Sequence, residues 1–162
     1  DDGSCVWRLI MAIEDKRVVY TLESMVRIVI PSPKCKLTIE ELQAKKATQK
    51  GVTTYIVDKD KVPSDRSFRN AWTFDGTNFG TNMTIAREIH KNFIRIARFS
   101  KLRDLDVEFQ KALETSADTS SIIAKKKALR DAPADSGIAS ASTEPDLKNQ
   151  WDSTILGTSP YS

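Results

Sequence analysis

With 162 residues, 40% of them hydrophobic and 29% charged, the chain falls in the ordinary globular range and has room for one compact domain with appendages. Aromatic content of only 7% and a mean hydropathy of −0.40 predict modest burial per residue and an elongated shape. A formal charge of +3 from 25 basic and 22 acidic side chains is too balanced to imply a polyanionic partner, and the longest apolar stretch, residues 6–13 interrupted by Arg8, excludes a membrane span of roughly 20 apolar residues.

The opening DDGS is acidic where a signal peptide is basic, and no small-residue cleavage site follows the apolar stretch. A start without methionine fits a fragment, a processed product, or a reading frame extended upstream of Met11 or Met25. Cys5 and Cys35 match neither a zinc-ligand spacing nor a dense disulfide framework. They read as free thiols in a reducing compartment, with a single Cys5 to Cys35 bridge as the disfavoured alternative.

KRVVYTL at 16–22 and VRIVI at 26–30 are β-branched runs that predict strands, the second stopped by the ProSerPro at 31–33. Thr38 with Glu41 forms a capping-box pattern that opens a helix ending before Gly51. VTTYIV at 52–57 predicts another strand, and Ser64 or Asp65 is placed to cap a one-turn or two-turn helix through Arg69, giving a β-α-β unit. AspGly at 75–76 predicts a small hairpin between 72–74 and 77–79.

From 84 to 114 there is no Pro or Gly, and Ile85, Ile89, Phe93, Ile96, Leu102, Leu105, Phe109 and Leu113 recur at helical spacings. The stripe slips near Phe99 and Ser100, which leaves room for a kink or a break into two helices there. A polar connection at 116–120 leads to a second helix over 122–130, ended by Pro133, so that 84–132 reads as a helical hairpin. Residues 134–143 read as a linker, 144–151 as one short helix with Pro145 in its first turn, and 152–162 as a frayed tail. The predicted fold class is α+β. Its parts are an N-terminal extension over 1–24, a small sheet with one helix over 25–81, a helical hairpin over 82–133, and a terminal segment over 134–162.

The sequence points to no catalytic, cofactor-binding or metal site. His90, the only histidine, stands between Arg87 and Lys91 and reads as an exposed or half-exposed helix residue. Asp58, Asp60 and Asp65 lack the Gly and terminal Glu of a calcium loop, and Gly76 and Gly80 lack the Lys and Ser or Thr of a phosphate loop. Arg87, Lys91, Arg95, Arg98 and Lys101 follow helical steps and form either a solvated face or a phosphate-attracting ridge. Glu88, Asp104, Asp106 and Glu108 on the same helix favour the solvated face. Trp72 and Trp151 read as core anchors before ligand platforms, given the area an indole buries.

VPSDRSFRNAW at 62–72 resembles a recurring motif of small proteins encoded near tail-fibre genes of tailed phages. VRIVIPSPKCKLTIEEL and TTYIVDKDKVP resemble the N-terminal half of the same proteins, and MTIAREIHKNFIRIAR followed by LDVEF is similar to their long helix. KKKALRDAPAD at 125–135, with Leu147 and Trp151, resembles the C-terminal helical segment of a phage tail assembly chaperone-like domain, whose core is Leu-Arg-Asp followed by Pro. The likeness covers about residues 25–151, and 1–24 and 152–162 match nothing.

The resemblance implies a noncatalytic tail protein, structural component or assembly chaperone, that binds a tail-fibre or baseplate protein in the host cytoplasm or in the virion tail. Arg66, Phe68, Arg69 and Trp72 are then expected to hold the two halves of the chain together or to touch the partner. Phe93, Ile96 and Phe109 are expected to form an apolar partner-binding stripe, and Leu129, Arg130 and Trp151 carry the chaperone-like signature. The alternative is a nucleic-acid-binding accessory protein that uses the ridge from Arg87 to Lys101. A membrane partner is not expected.

Overall fold

The computed structural model describes residues 15–161, so Cys5, Trp7 and the apolar stretch at 6–13 lie outside the described residues. The fold is α+β, and the chain divides between Asn82 and Met83 into two compact units.

The N-terminal unit is built on strands β1 (Lys16–Leu22), β2 (Met25–Val29) and β3 (Thr54–Asp58), with helix α1 (Ile39–Lys50) between β2 and β3. Their order in the sheet is β2-β1-β3, and both outer strands run antiparallel to β1. Grouping 16–22 with an unmatched extension therefore needs correction, since β1 is the strand to which both others pair. Val18 faces Val29 on one side and Ile56 on the other, the cross-strand contact of β-branched side chains that stabilises a pleated sheet. Glu23 and Ser24 close the β1–β2 hairpin with φ of 53° and 62°.

Helix α1 begins as its sequence dictates. The Thr38 hydroxyl accepts from the Glu41 amide at 3.2 Å, and the Glu41 carboxylate accepts from the Thr38 amide at 2.8 Å. Gly51, at φ 61°, ends the helix in the left-handed conformation that costs glycine no steric strain. Ile39 and Leu42 of α1 pack with Val18, with Val29, Leu37 and Ile56 around them. The Gln43 side-chain amide donates to the Thr54 carbonyl at 2.7 Å and ties the helix to β3. Cys35 is half-buried and bonded to no cysteine among the described residues.

The short helix expected through Arg69 is instead a single 3₁₀ turn, Arg69–Ala71. Asp65 directs its carboxylate to the Ser67 amide at 3.0 Å and hydroxyl at 2.6 Å, a local turn that competes with helix formation. Strands β4 (Trp72–Phe74) and β5 (Phe79–Thr81) form the expected hairpin, shifted two residues at its second strand. The shift arises because Asp75 accepts the amides of Thr77 at 2.8 Å and Asn78 at 2.7 Å, drawing both into the turn. Gly76, at φ 102°, leaves space that a Cβ would lose, since that atom would come within 3.1 Å of the Tyr55 ring.

The C-terminal unit is a helical hairpin with further turns packed on it. Helix α2 (Met83–Glu114) runs unbroken through Phe99 and Ser100, and helix α3 (Ser120–Asp131) returns beside it. The pairing is antiparallel: Arg98 reaches the carbonyls of Leu129 and Arg130, while Asp106 pairs with Lys126 at 2.6 Å. The buried residues of α2 are Ala86, His90, Ile94 and Leu105. Ile85 and Ile96, expected in the apolar stripe, are 40% and 64% exposed.

The short helix expected over 144–151 is present with Pro145 in its first turn, whereas 134–143 is not a plain linker and 152–161 is not frayed. Residues 134–161 form α4 (Ser136–Ser140), α5 (Glu144–Lys148) and α6 (Ser153–Leu156), opened by Asp135, Thr143 and Asp152, whose side chains accept amides of the first turn. Each turn buries one apolar side chain, namely Ile138, Leu147 and Leu156.

Candidate functional site

Arg66, Phe68, Arg69 and Trp72 all belong to the N-terminal unit. Phe68 has no exposed surface, and Trp72 is buried beneath the guanidinium of Arg66, whose Cζ lies 5.7 Å from the indole centroid. Trp72 meets Phe79 edge-on at 5.9 Å, Phe79 meets Phe74 at 4.9 Å, and Phe74 meets Tyr55 edge-on at 5.4 Å. This aromatic chain fastens the β4–β5 hairpin to β3. Arg66 and Arg69 are exposed. The motif thus has two apolar residues that hold the unit together and two cations at its surface.

In the C-terminal unit the candidate stripe divides. Phe93 is half-buried with its ring edge to Tyr161 at 5.9 Å, and Phe109 is half-buried with the Lys126 ammonium 4.9 Å from its ring centroid. Ile96 alone of the three projects outward. It is joined by Phe99, which is 67% exposed, and by Val107. Ile85, Ile89, Asn92, Ile96 and Phe99 follow alternating steps of four and three residues, which places them along one side of α2. The slip at Phe99 therefore marks the outward stripe and not a helix break. The exposed Leu113 and Ile123 extend apolar surface to the turn of the hairpin. Leu129 is buried and Arg130 and Asp131 are exposed, so the Leu-Arg-Asp signature contributes one core and two surface residues.

The basic residues of α2 are largely engaged within their own unit. Arg87 donates to the Ala141 carbonyl at 2.8 Å. Arg98 donates to the carbonyls of Leu129 at 3.2 Å and Arg130 at 2.7 Å, acceptors at the C-terminal end of α3 where a cation is favoured. Lys91 pairs with Glu88 at 2.8 Å, Arg95 lies 3.9 Å from the same carboxylate, and Lys101 is half-buried. Arg87 and Arg98 are brackets between segments, and the ridge is interrupted at both positions.

His90 departs most from expectation. Its side chain is fully buried. The ring lies nearly parallel to Tyr161 and edge-on to Trp151, with Nδ1 2.6 Å from the Tyr161 hydroxyl. Nε2 is buried with no hydrogen-bond partner among the described residues. Burial pushes the imidazole down to a pKa of about 4, because a charged ring there would lose its hydration. Trp151 is itself buried and donates its indole N–H to the Gly157 carbonyl at 2.9 Å. His90 is thus held neutral inside the hairpin by the terminal segment. No sequence pattern gave this away, since a histidine beside Arg87 and Lys91 looks like a surface residue.

Among the described residues, no group of three or more His, Cys, Asp or Glu side chains is placed to hold a metal ion. No described helix is long and apolar enough to cross a membrane.

Comparison of the chain with protein-family models, curated proteins and solved structures finds no match.

Proposed function

We propose that this chain is a noncatalytic protein of the tail region of a tailed phage, a structural component or assembly chaperone, which binds a tail-fibre or baseplate protein through the outward stripe of α2. The observation that carries the reading is the exposure of Ile96 and Phe99, 64% and 67%, side by side on a 32-residue helix whose other face is buried. Adjacent large apolar side chains left in water on a rigid helix suit a groove-forming partner, which would gain their burial on binding. The resemblance of 62–72 and 125–135 to phage tail proteins supplies the setting. Binding to nucleic acid is the weaker reading, because Arg87 and Arg98 already donate to backbone carbonyls.

The test uses the full chain as bait in cells infected by the phage that encodes it, with nuclease-treated lysate and an Ile96→Asp/Phe99→Asp variant. The expected result is nuclease-resistant recovery of a fibre or baseplate protein, reduced at least about tenfold by the variant. Both residues are exposed, so thermal stability should stay within about 0.5 kcal/mol of the parent per substitution. Recovery of nucleic acid alone, or equal recovery by the variant, would sink the proposal.

A further inference from the structure

In the N-terminal unit, β2, β1 and the turn before β4 enclose a cavity of about 220 Å³ lined by Arg27, Arg66, Arg69, Asn70, Tyr20 and Trp72. Three guanidinium-bearing residues around one small cavity add their fields there and favour an anion, although water screens the repulsion between the exposed ones. None of the three is ion-paired to a described carboxylate. Arg66 leans on the Trp72 ring, and Arg27 reaches only the Met25 sulfur at 3.7 Å. Elsewhere in the unit cations do find acids, as Lys16 does with Asp58 at 2.6 Å. The cavity therefore gathers three cationic side chains that no described carboxylate pairs with.

From this geometry we propose that the cavity is a binding site for a phosphate group, either inorganic phosphate or the phosphate of a small phosphomonoester. The inference goes beyond the proposed function and stands or falls apart from it, because it concerns neither α2 nor a protein partner. A phosphate brings close to two negative charges and three acceptor oxygens at neutral pH. Arginine forks match those oxygens with parallel hydrogen bonds. A carboxylate would leave more of the positive charge unanswered. The Asn70 amide, another lining group, supplies a neutral donor. The packed Trp72 fixes where Arg66 rests, so less side-chain freedom is lost on binding.

The experiment titrates the full chain with inorganic phosphate, with a nucleoside monophosphate, and with acetate at matched ionic strength, reading the Nε–H resonances of the arginine side chains by NMR. Saturable shifts at Arg27, Arg66 and Arg69 with phosphate, and none with acetate, are expected. Tighter binding of the nucleoside monophosphate identifies an esterified ligand, and equal or weaker binding identifies free phosphate; each supports the site. Arg69→Gln should weaken binding at least fivefold. Its side chain makes no described contact that folding requires, and an unchanged amide spectrum elsewhere would verify that the unit is intact. Linear, unsaturable shifts, equal effects of acetate and phosphate, or unaltered binding by both Arg69→Gln and Arg27→Gln would overturn the proposal.

Discussion

Phe68→Ala is expected to destabilise the N-terminal unit by about 3–5 kcal/mol, the range for removing a fully buried aromatic ring and leaving a cavity. Phe68 has no exposed surface. Against a typical domain stability of about 5–15 kcal/mol, such a loss leaves the unit close to its unfolding threshold. Native-state amide exchange in β1 reads this unit specifically, and a change below about 1 kcal/mol would show that Phe68 is not a principal core residue. Arg69→Gln, at an exposed residue with no described side-chain hydrogen bond or ion pair, should stay within about 0.5 kcal/mol. The contrast separates the two parts of the DRSFRNAW string, one that builds the unit and one that faces outward.

Acidification from pH 7.5 to 5 is expected to weaken the C-terminal unit through His90. The His90 pKa falls from its ordinary 6.5 to about 4 on folding. Between those values the unfolded chain holds a proton that the folded chain refuses, so stability rises with pH in this window and is lost as pH drops through it. The linkage amounts to about 2 kcal/mol between pH 7.5 and pH 5. Asp146 and Asp152 sit below their ordinary values, chiefly through hydrogen bonds from the Thr143 and Thr154 hydroxyls. Their contribution is present above the ordinary carboxylate range and is lost only at lower pH. Urea unfolding at a series of pH values, compared with His90→Phe, checks the assignment. The variant should flatten the profile between pH 7.5 and 5, and a slope that persists in it would place the proton elsewhere.

The strands, the capping box at Thr38 and the length of α2 were legible because each rests on a local cause: β-branched runs, a reciprocal hydrogen bond, and a long absence of Gly and Pro. Which side of α2 is buried was not legible. Periodicity counts apolar side chains, whereas the buried face reads Ala86, His90, Ile94, two of which carry little weight in such a count. The helix faces the segment that covers it, and that segment, 134–161, is made of turns too short to show any period. Its signals were Asp135, Thr143 and Asp152, capping residues each followed by a buried aliphatic. Spacing grouped Phe93, Ile96 and Phe109 in one stripe, whereas Ile96 is exposed and the two rings are half-buried. Arg27 could not be linked to Arg66 and Arg69 from sequence, since only the pairing of β2 beside β1 brings a residue so distant along the chain to the same cavity.

The strand order β2-β1-β3 also bears on how the N-terminal unit assembles. β1 and β2 meet across a turn of Glu23 and Ser24, whereas β3 must return to β1 across all of residues 30–53. Loop-closure entropy grows with the separation, so the hairpin is favoured to nucleate and β3 to dock afterwards with α1. Val57→Ala should then accelerate unfolding and leave the folding rate nearly unchanged, while Val18→Ala slows folding. The reverse pattern in stopped-flow kinetics would mean that the central strand is recruited last, by a surface already formed around it.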